Sequence, residues 1–170
     1  MTNIRSDQKR ILAIAPNSRG FGFALLEGID LVDWGLVQVR KDKHERCLAR
    51  MNRLITRYQP DVMITEDANK NRHRGVRIRK LLGAMHEQIA AAGISHKSYC
   101  PASVRRIFRG SSPVTKHTIA EGIASHFPEL TPKLPGLRKP WMSEDARMAI
   151  FDAVALALTG SLTKAHSVRG

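Results

Sequence analysis

Cysteine is nearly missing from this sequence. Cys47 and Cys100 are the two present, with no CxxC pair and no Cys/His cluster, so neither a disulfide framework nor a zinc site organises the chain. Both are expected as buried free thiols. No uninterrupted apolar run reaches the roughly 18 residues that a membrane-spanning helix needs, and the opening MTNIRSDQKR has no apolar stretch after its charges. The expectation is therefore a protein of a reducing, intracellular compartment with no membrane partner. Acidic residues are also scarce. Asp and Glu total 15 against 28 Lys and Arg, a formal charge of +13, and a surplus of that size points to a polyanionic partner.

With 170 residues at 42% hydrophobic, the chain suits one domain with a sizeable core. It has no internal repeat and no low-complexity tract, and its two ends, 1–9 and 163–170, are expected to be flexible. Arg10 to Ala15 (RILAIA) is a short apolar run that stops at a turn cluster, Pro16 to Gly20. Gly20 to Leu26 and Leu31 to Val39 are two further strand-like runs, separated by a loop containing Gly28, and the three together predict an antiparallel meander. Cys47, Leu48, Met51, Leu54, Ile55 and Tyr58 then recur at helical spacing up to Gln59-Pro60. Val62 to Glu66 predicts a strand, Ile78 to Ile89 a helix ending near Gly93, and Ile94 to Tyr99 a fifth strand. Three helices follow: Pro101 to Phe108, Thr115 to Phe127 and Ser143 to Thr159. The order βββαβαβααα implies an α/β domain, a mixed sheet covered by helices.

In so basic a chain the positions of the acids carry information, because phosphodiester hydrolysis commonly uses carboxylates that hold divalent cations near the scissile phosphate. Glu66 ends a strand, where its side chain projects toward the crevice that open α/β sheets use for ligands, and Asp67 should point to the opposite face. Asp145 and Asp152 stand at i and i+7 of the last expected helix, sharing a face within about 20° and lying ~10 Å apart along the axis. Asp152 is flanked by Ala149, Ile150, Phe151, Ala153 and Val154, and a charge in that setting needs a metal or a partner. For Asp145 a plainer reading stands beside the functional one: Ser143-Glu144-Asp145 is a sensible helix start with an acidic first turn.

Three blocks resemble the RuvC-like nucleases of the ribonuclease H superfamily, in the same order. ILAIAPNSRGFGFALL resembles that family's first strand, turn and second strand, PDVMITE (60–66) resembles the strand carrying its catalytic glutamate, and DAVALA (152–157) resembles its closing helix. The resemblance implies a ribonuclease H-like fold with a mixed five-stranded sheet, and a Mg2+ or Mn2+ dependent endonuclease acting on branched DNA such as Holliday junctions. It also implies a homodimer. The site would comprise position 15, Glu66, Asp152, Asp145 in a supporting place and Lys116, which resembles a family lysine near the scissile phosphate. An exposed lysine at a helix start is the plainer reading of Lys116.

Two departures follow from the same alignment of blocks. Ala15 stands where the family carries its first metal-binding aspartate, and a methyl group cannot coordinate a hard cation, so this chain is expected to be inactive. Ala149 stands where another acid often occurs. A deliberate substitution that traps an inert complex and a natural pseudonuclease both account for Ala15, and the intact Glu66, Asp152 and PNSRG turn favour the first. A non-catalytic protein binding structured DNA or RNA is the alternative function.

The cations are grouped. Lys70, Arg72, Arg74, Arg77, Arg79 and Lys80 follow Glu66 with no acid between Ala68 and His86, and Arg105, Arg106, Arg109 and Lys116 fall in a second acid-free stretch. These ten are expected to bind nucleic-acid phosphates, the plainer reading being a solvated charged face. No helix-turn-helix or zinc module offers base readout, so shape is expected to dominate recognition. Asp67 to Arg74 contains no aromatic residue. His73, His117 and His126 are given no role. Pro128 to Pro140 predicts a long basic loop, and Trp141 beside it is expected to pack onto the core, with stacking on a base as the alternative.

Overall fold

The computed structural model describes residues 8–69, 74–110 and 114–167, with side chains through 163. Three antiparallel strands open the chain: β1 (Arg10–Asn17), β2 (Gly20–Glu27) and β3 (Asp30–Gln38). Helix α1 (Lys43–Tyr58) leads to β4 (Val62–Glu66), which joins β1 in parallel, and α2 (Val76–Ala91) leads to β5 (Ser95–Tyr99), parallel to β4. The sheet order is β3-β2-β1-β4-β5. Helices α3 (Pro101–Ile107), α4 (Lys116–His126) and α5 (Met148–Ser167) complete the fold, with a 3-10 turn at Pro128–Lys133. This is the expected mixed five-stranded sheet flanked by helices.

Strand alternation sends β1 residues to two different cores. Ile11, Ala13 and Ala15 face α4 and α5, whereas Leu12 and Ile14 face α1 and α2. Helix α5 lies across β1 and β2, and small residues let it approach closely. A Cβ added at Gly22 would sit 2.2 Å from the Ala149 carbonyl oxygen, and one at Gly160 would sit 2.0 Å from Ile64 Cδ1. Both glycines therefore serve packing at the helix–sheet contact.

Several local expectations need correction. The first turn is shorter than the Pro16 to Gly20 cluster suggests. Pro16 and Asn17 pair with Phe21 and Gly20, and the Asn17 side chain accepts the Arg19 amide at 2.8 Å, which tightens a two-residue turn. Helix α5 begins at Met148, not Ser143, and runs to Ser167, past the expected end at Thr159. Gly160 does not stop it because that residue is needed at the contact with Ile64. Asp145 consequently does not share a helix with Asp152. Part of the expected loop after Pro128 is the 3-10 turn, anchored by the fully buried Leu130. Cys47 is buried, but Cys100 is only partly so. Trp141 does not pack onto the core: it is 78% exposed.

Candidate active site and nucleic-acid interface

The parallel register of β1 and β4 decides which residues meet. Ile14 pairs with Thr65, so one step further along both strands Ala15 lies beside Glu66, on the face that looks toward α5. Asp152 comes to the same place from the second turn of α5. Ala15, Glu66 and Asp152 all line one cavity of about 630 Å³, together with Arg74, Arg105 and Lys116. Its far wall is apolar, formed by Tyr99, Val104, Ile119, Phe151 and Leu156. Arg105, Thr115 and Lys116 on its rim are exposed, so the cavity opens to solvent.

Each acid in the cavity has a cationic partner. Glu66 is buried at 7% exposure and accepts from Arg74 through Nε at 3.1 and 3.2 Å and Nη2 at 2.9 Å. The same guanidinium donates to the Pro16 carbonyl at 3.3 Å, which ties the start of α2 to the end of β1. Burial works against the Arg74 charge. The hydrogen bonds and charge of Glu66, helped by Asp152 and Glu144, outweigh it and hold the guanidinium above its ordinary value.

Lys116 donates to Glu144 at 2.9 Å and to Asp152 at 3.2 Å. Crowding at the rim works against its charge although the side chain is half exposed, yet the charges of Asp152 and Glu144 raise it above the usual lysine range. Burial pushes the Asp152 carboxyl up, Lys116 opposes that shift, and nearby Glu144 reinforces it. The position of Lys116 follows from its helix start. Thr115 caps α4 by accepting the Thr118 amide at 3.1 Å, while Thr118 Oγ1 accepts the Thr115 amide at 2.9 Å, a reciprocal box that holds the first turn.

The remaining candidates divide. Asp145 does not line the cavity. It sits ahead of α5, accepting the Arg147 amide at 2.9 Å and pairing with the Arg147 guanidinium at 2.7 Å, and these hydrogen bonds hold its carboxyl below the usual range. That is the structural role of a helix-start acid. Arg77 donates to the Ser18 carbonyl at 2.8 Å, beside the first turn. Arg79, Lys80, Arg106 and Arg109 are exposed and lie outside the cavity. Lys70, Arg72 and His73 fall outside the described residues. His117 pairs with Glu121, and His126 packs edge-on against Phe127. Asp67 acts on His86, whose helix belongs to the other face from Glu66.

Glu144 is the site residue that sequence reasoning passes over. Projecting a helix from Ser143 puts Asp145 on the Asp152 face and makes Glu144 a mere first-turn acid. Once α5 is seen to begin at Met148, its neighbour is the one free to reach Lys116. The apolar wall has no local signature, because nothing in the neighbourhood of Val104, Ile119 or Leu156 in the sequence distinguishes a cavity wall from a packed core.

A pair of hard cations does not fit the residues present. Position 15 offers a methyl group, both Glu66 oxygens accept from Arg74, and Asp152 is held by Lys116. Among the described residues no three His, Cys, Asp or Glu side chains converge as a metal site. The charge that a divalent ion would neutralise is already met by two side-chain cations.

No protein-family model matches the chain, and no curated protein sequence matches it. Solved structures do. Thermus thermophilus RuvC superposes with a TM-score of 0.65 at 20% identity, covering 92% of this chain and 96% of that one. T. thermophilus RuvC in complex with Holliday junction substrate gives 0.61 at 18%, with the same 92% and 96% coverage. Fowlpox virus resolvase, in complex with its substrate Holliday junction DNA, gives 0.54 at 15%, covering 90% of this chain and 99% of that one. The fold is therefore the ribonuclease H-like fold of the RuvC-type resolvases, over nearly the whole chain. Among the described residues no helix is long and apolar enough to cross a membrane.

Proposed function

We propose that this chain is built on the plan of a RuvC-type, metal-dependent endonuclease for branched DNA such as Holliday junctions, and that with Ala at position 15 it binds such DNA without cutting it. One observation carries the reading: Ala15, Glu66 and Asp152, remote in the chain, line a single solvent-open cavity rimmed by Arg105 and Lys116. Exposed Arg77, Arg79, Lys80, Arg106 and Arg109 extend the positive surface on which a phosphate backbone would run. The neighbours with the same fold include two solved with Holliday junction DNA. A symmetric homodimer is the assembly that matches a four-way junction.

Restoring the missing carboxylate tests this. The unaltered chain should bind a four-way junction more tightly than a linear duplex in a mobility-shift titration and leave it intact. Ala15→Asp should cut the junction when Mg2+ or Mn2+ is supplied. If Ala15→Asp binds but cuts no junction, flap, duplex or RNA, the non-catalytic reading replaces the nuclease plan. Tighter binding to RNA than to DNA in matched competition would overturn the choice of DNA.

A further inference from the structure

The segment between the 3-10 turn and α5 presents apolar surface to water. Leu137 is 76% exposed, Trp141 78% and Met142 49%. Single exposed apolar residues are ordinary; three large ones within six positions concentrate exposed apolar surface in one short segment.

The local chemistry shows why Trp141 stands out and what it faces. The Met142 amide donates to the Lys139 carbonyl at 3.0 Å, closing a turn over 139–142. Pro140 occupies its second position, where the ring presets the backbone, and Trp141 the third, at the tip. Lys139 Nζ lies 5.3 Å from the Trp141 ring centroid, a cation held against the aromatic face. From Leu130 to Ser143 there is no acid, while Lys133, Arg138 and Lys139 supply positive charge.

The turn is also tied to the cavity. Three residues after Trp141, Glu144 pairs with Lys116 on the cavity rim. Three steps of 3.8 Å bound the Cα separation of Trp141 and Glu144 at about 11 Å, roughly three base steps along a strand at 3.4 Å each.

We propose that the Trp141 turn is a stacking platform for an unpaired base at the branch point of DNA whose phosphates lie along the Arg105 and Lys116 rim. This rests on the DNA-binding reading above and adds to it the part of the protein that distinguishes branched from continuous duplex. Every base has a π face, so a lone exposed indole selects bases freed from the stack without selecting their sequence, and Arg138 and Lys139 hold the adjoining phosphates.

The test uses the whole chain and a four-way junction with unpaired bases at its centre, with a linear duplex of the same arms as the control. The chain has two tryptophans, so the emission lost on replacing Trp141 with Phe identifies the Trp141 signal above that of partly buried Trp34. Junction binding should quench that signal and duplex binding should not. Trp141→Ala should weaken junction binding about 5- to 150-fold, the range of one stacked base, with duplex binding changed less than about twofold, and Trp141→Phe should keep most of the junction affinity. Junction binding that is unaltered by Trp141→Ala, with no quenching, overturns the platform and leaves the DNA-binding reading standing. Equal loss on junction and duplex overturns it as well. So does a change of oligomeric state in Trp141→Ala, measured by sedimentation, without a change in junction affinity per protomer. An unaltered chain that binds no nucleic acid overturns the DNA-binding reading itself, and the platform with it.

Discussion

The two faces of the sheet are built differently. Toward α1 and α2, Leu12, Ile14, Phe21, Leu25 and Met63 fill the space with large side chains, closed by Met51, Met85 and Ile89. Toward α4 and α5 the same strands present Ala13, Ala15, Ala24 and Gly22 alongside the larger Ile11, Leu26, Val62 and Ile64. Large residues space helices away from a sheet and fill the gap; small ones bring a helix down onto it. The close face therefore sets Asp152 beside the ends of β1 and β4. The filled face supplies stability and takes no part in the cavity. The cavity lies on the face where α5 comes closest to the sheet.

The largest expected effect is on the filled face. Met63 is fully buried, and Met63→Ala should cost about 2–5 kcal/mol of unfolding free energy through lost packing and a residual cavity. Junction affinity below the melting transition should stay the same. A urea titration measures the first and a mobility shift the second; a cost under about 1 kcal/mol would show that this face relaxes more than a packed core does.

On the close face, Gly22→Ala sets a methyl 2.2 Å from the Ala149 carbonyl oxygen, and backbone must move to admit it. Its stability cost is smaller, about 1–3 kcal/mol. Ala149 lies one helical turn before Asp152, so this variant, unlike Met63→Ala, should also lose junction affinity. Equal behaviour of the two variants in the binding assay would erase the distinction between the faces.

The smallest effect concerns a polar spot within the filled face. Thr65 Oγ1 is buried and lies 2.8 Å from Nε2 of both His86 and His96, whose rings are 4.5 Å apart. One hydroxyl can donate to one ring, which must then be neutral, and accept from the Nε2–H of the other. Burial lowers both, His96 to about 4 from an ordinary 6.5 with His86 adding to the shift, while a hydrogen bond to the Glu66 backbone and then the charge of Asp67 oppose it at His86. The unfolded chain then binds protons that the folded one refuses, so their contribution is full above pH 6.5 and is lost progressively as pH falls toward about 4. Asp152, raised above an ordinary 3.8, acts in the opposite direction just above that value. The readout is accordingly the difference between the chain and His96→Gln in melting temperature against pH. A difference that does not change between pH 6.5 and 4 would refute the lowered titration of His96.

Much of this was legible in the chain itself. The five strands and main helices follow from runs such as RILAIA and VMITE and from the helical spacing of Cys47, Met51 and Ile55, because periodicity is a local property. Glu66 is legible because it ends a strand at the crevice of an open sheet, and Asp152 because a carboxylate amid apolar neighbours demands a partner. What those partners are was not legible. Arg74 reads as one of six cations after Glu66, and nothing local distinguishes the one that turns back onto the carboxylate from those that face solvent. Trp141 was misplaced for a related reason. Tryptophan is usually buried when a neighbouring element covers it, and whether one does depends on where α5 begins.

The sequence by itself determined the alternation that points Ala15 and Glu66 to one side of their strands, the scarcity of acids that makes the surface cationic, and the methyl group at position 15. These depend on neighbouring residues and on composition. Only the tertiary structure decided that α5 starts at Met148, that Glu144 and not Asp145 reaches Lys116, and that Arg74 and Lys116 already neutralise the carboxylates of the cavity. Those outcomes turn on the approach of a helix to a sheet, where Gly22 meets Ala149 and Gly160 meets Ile64, contacts between segments far apart in the chain.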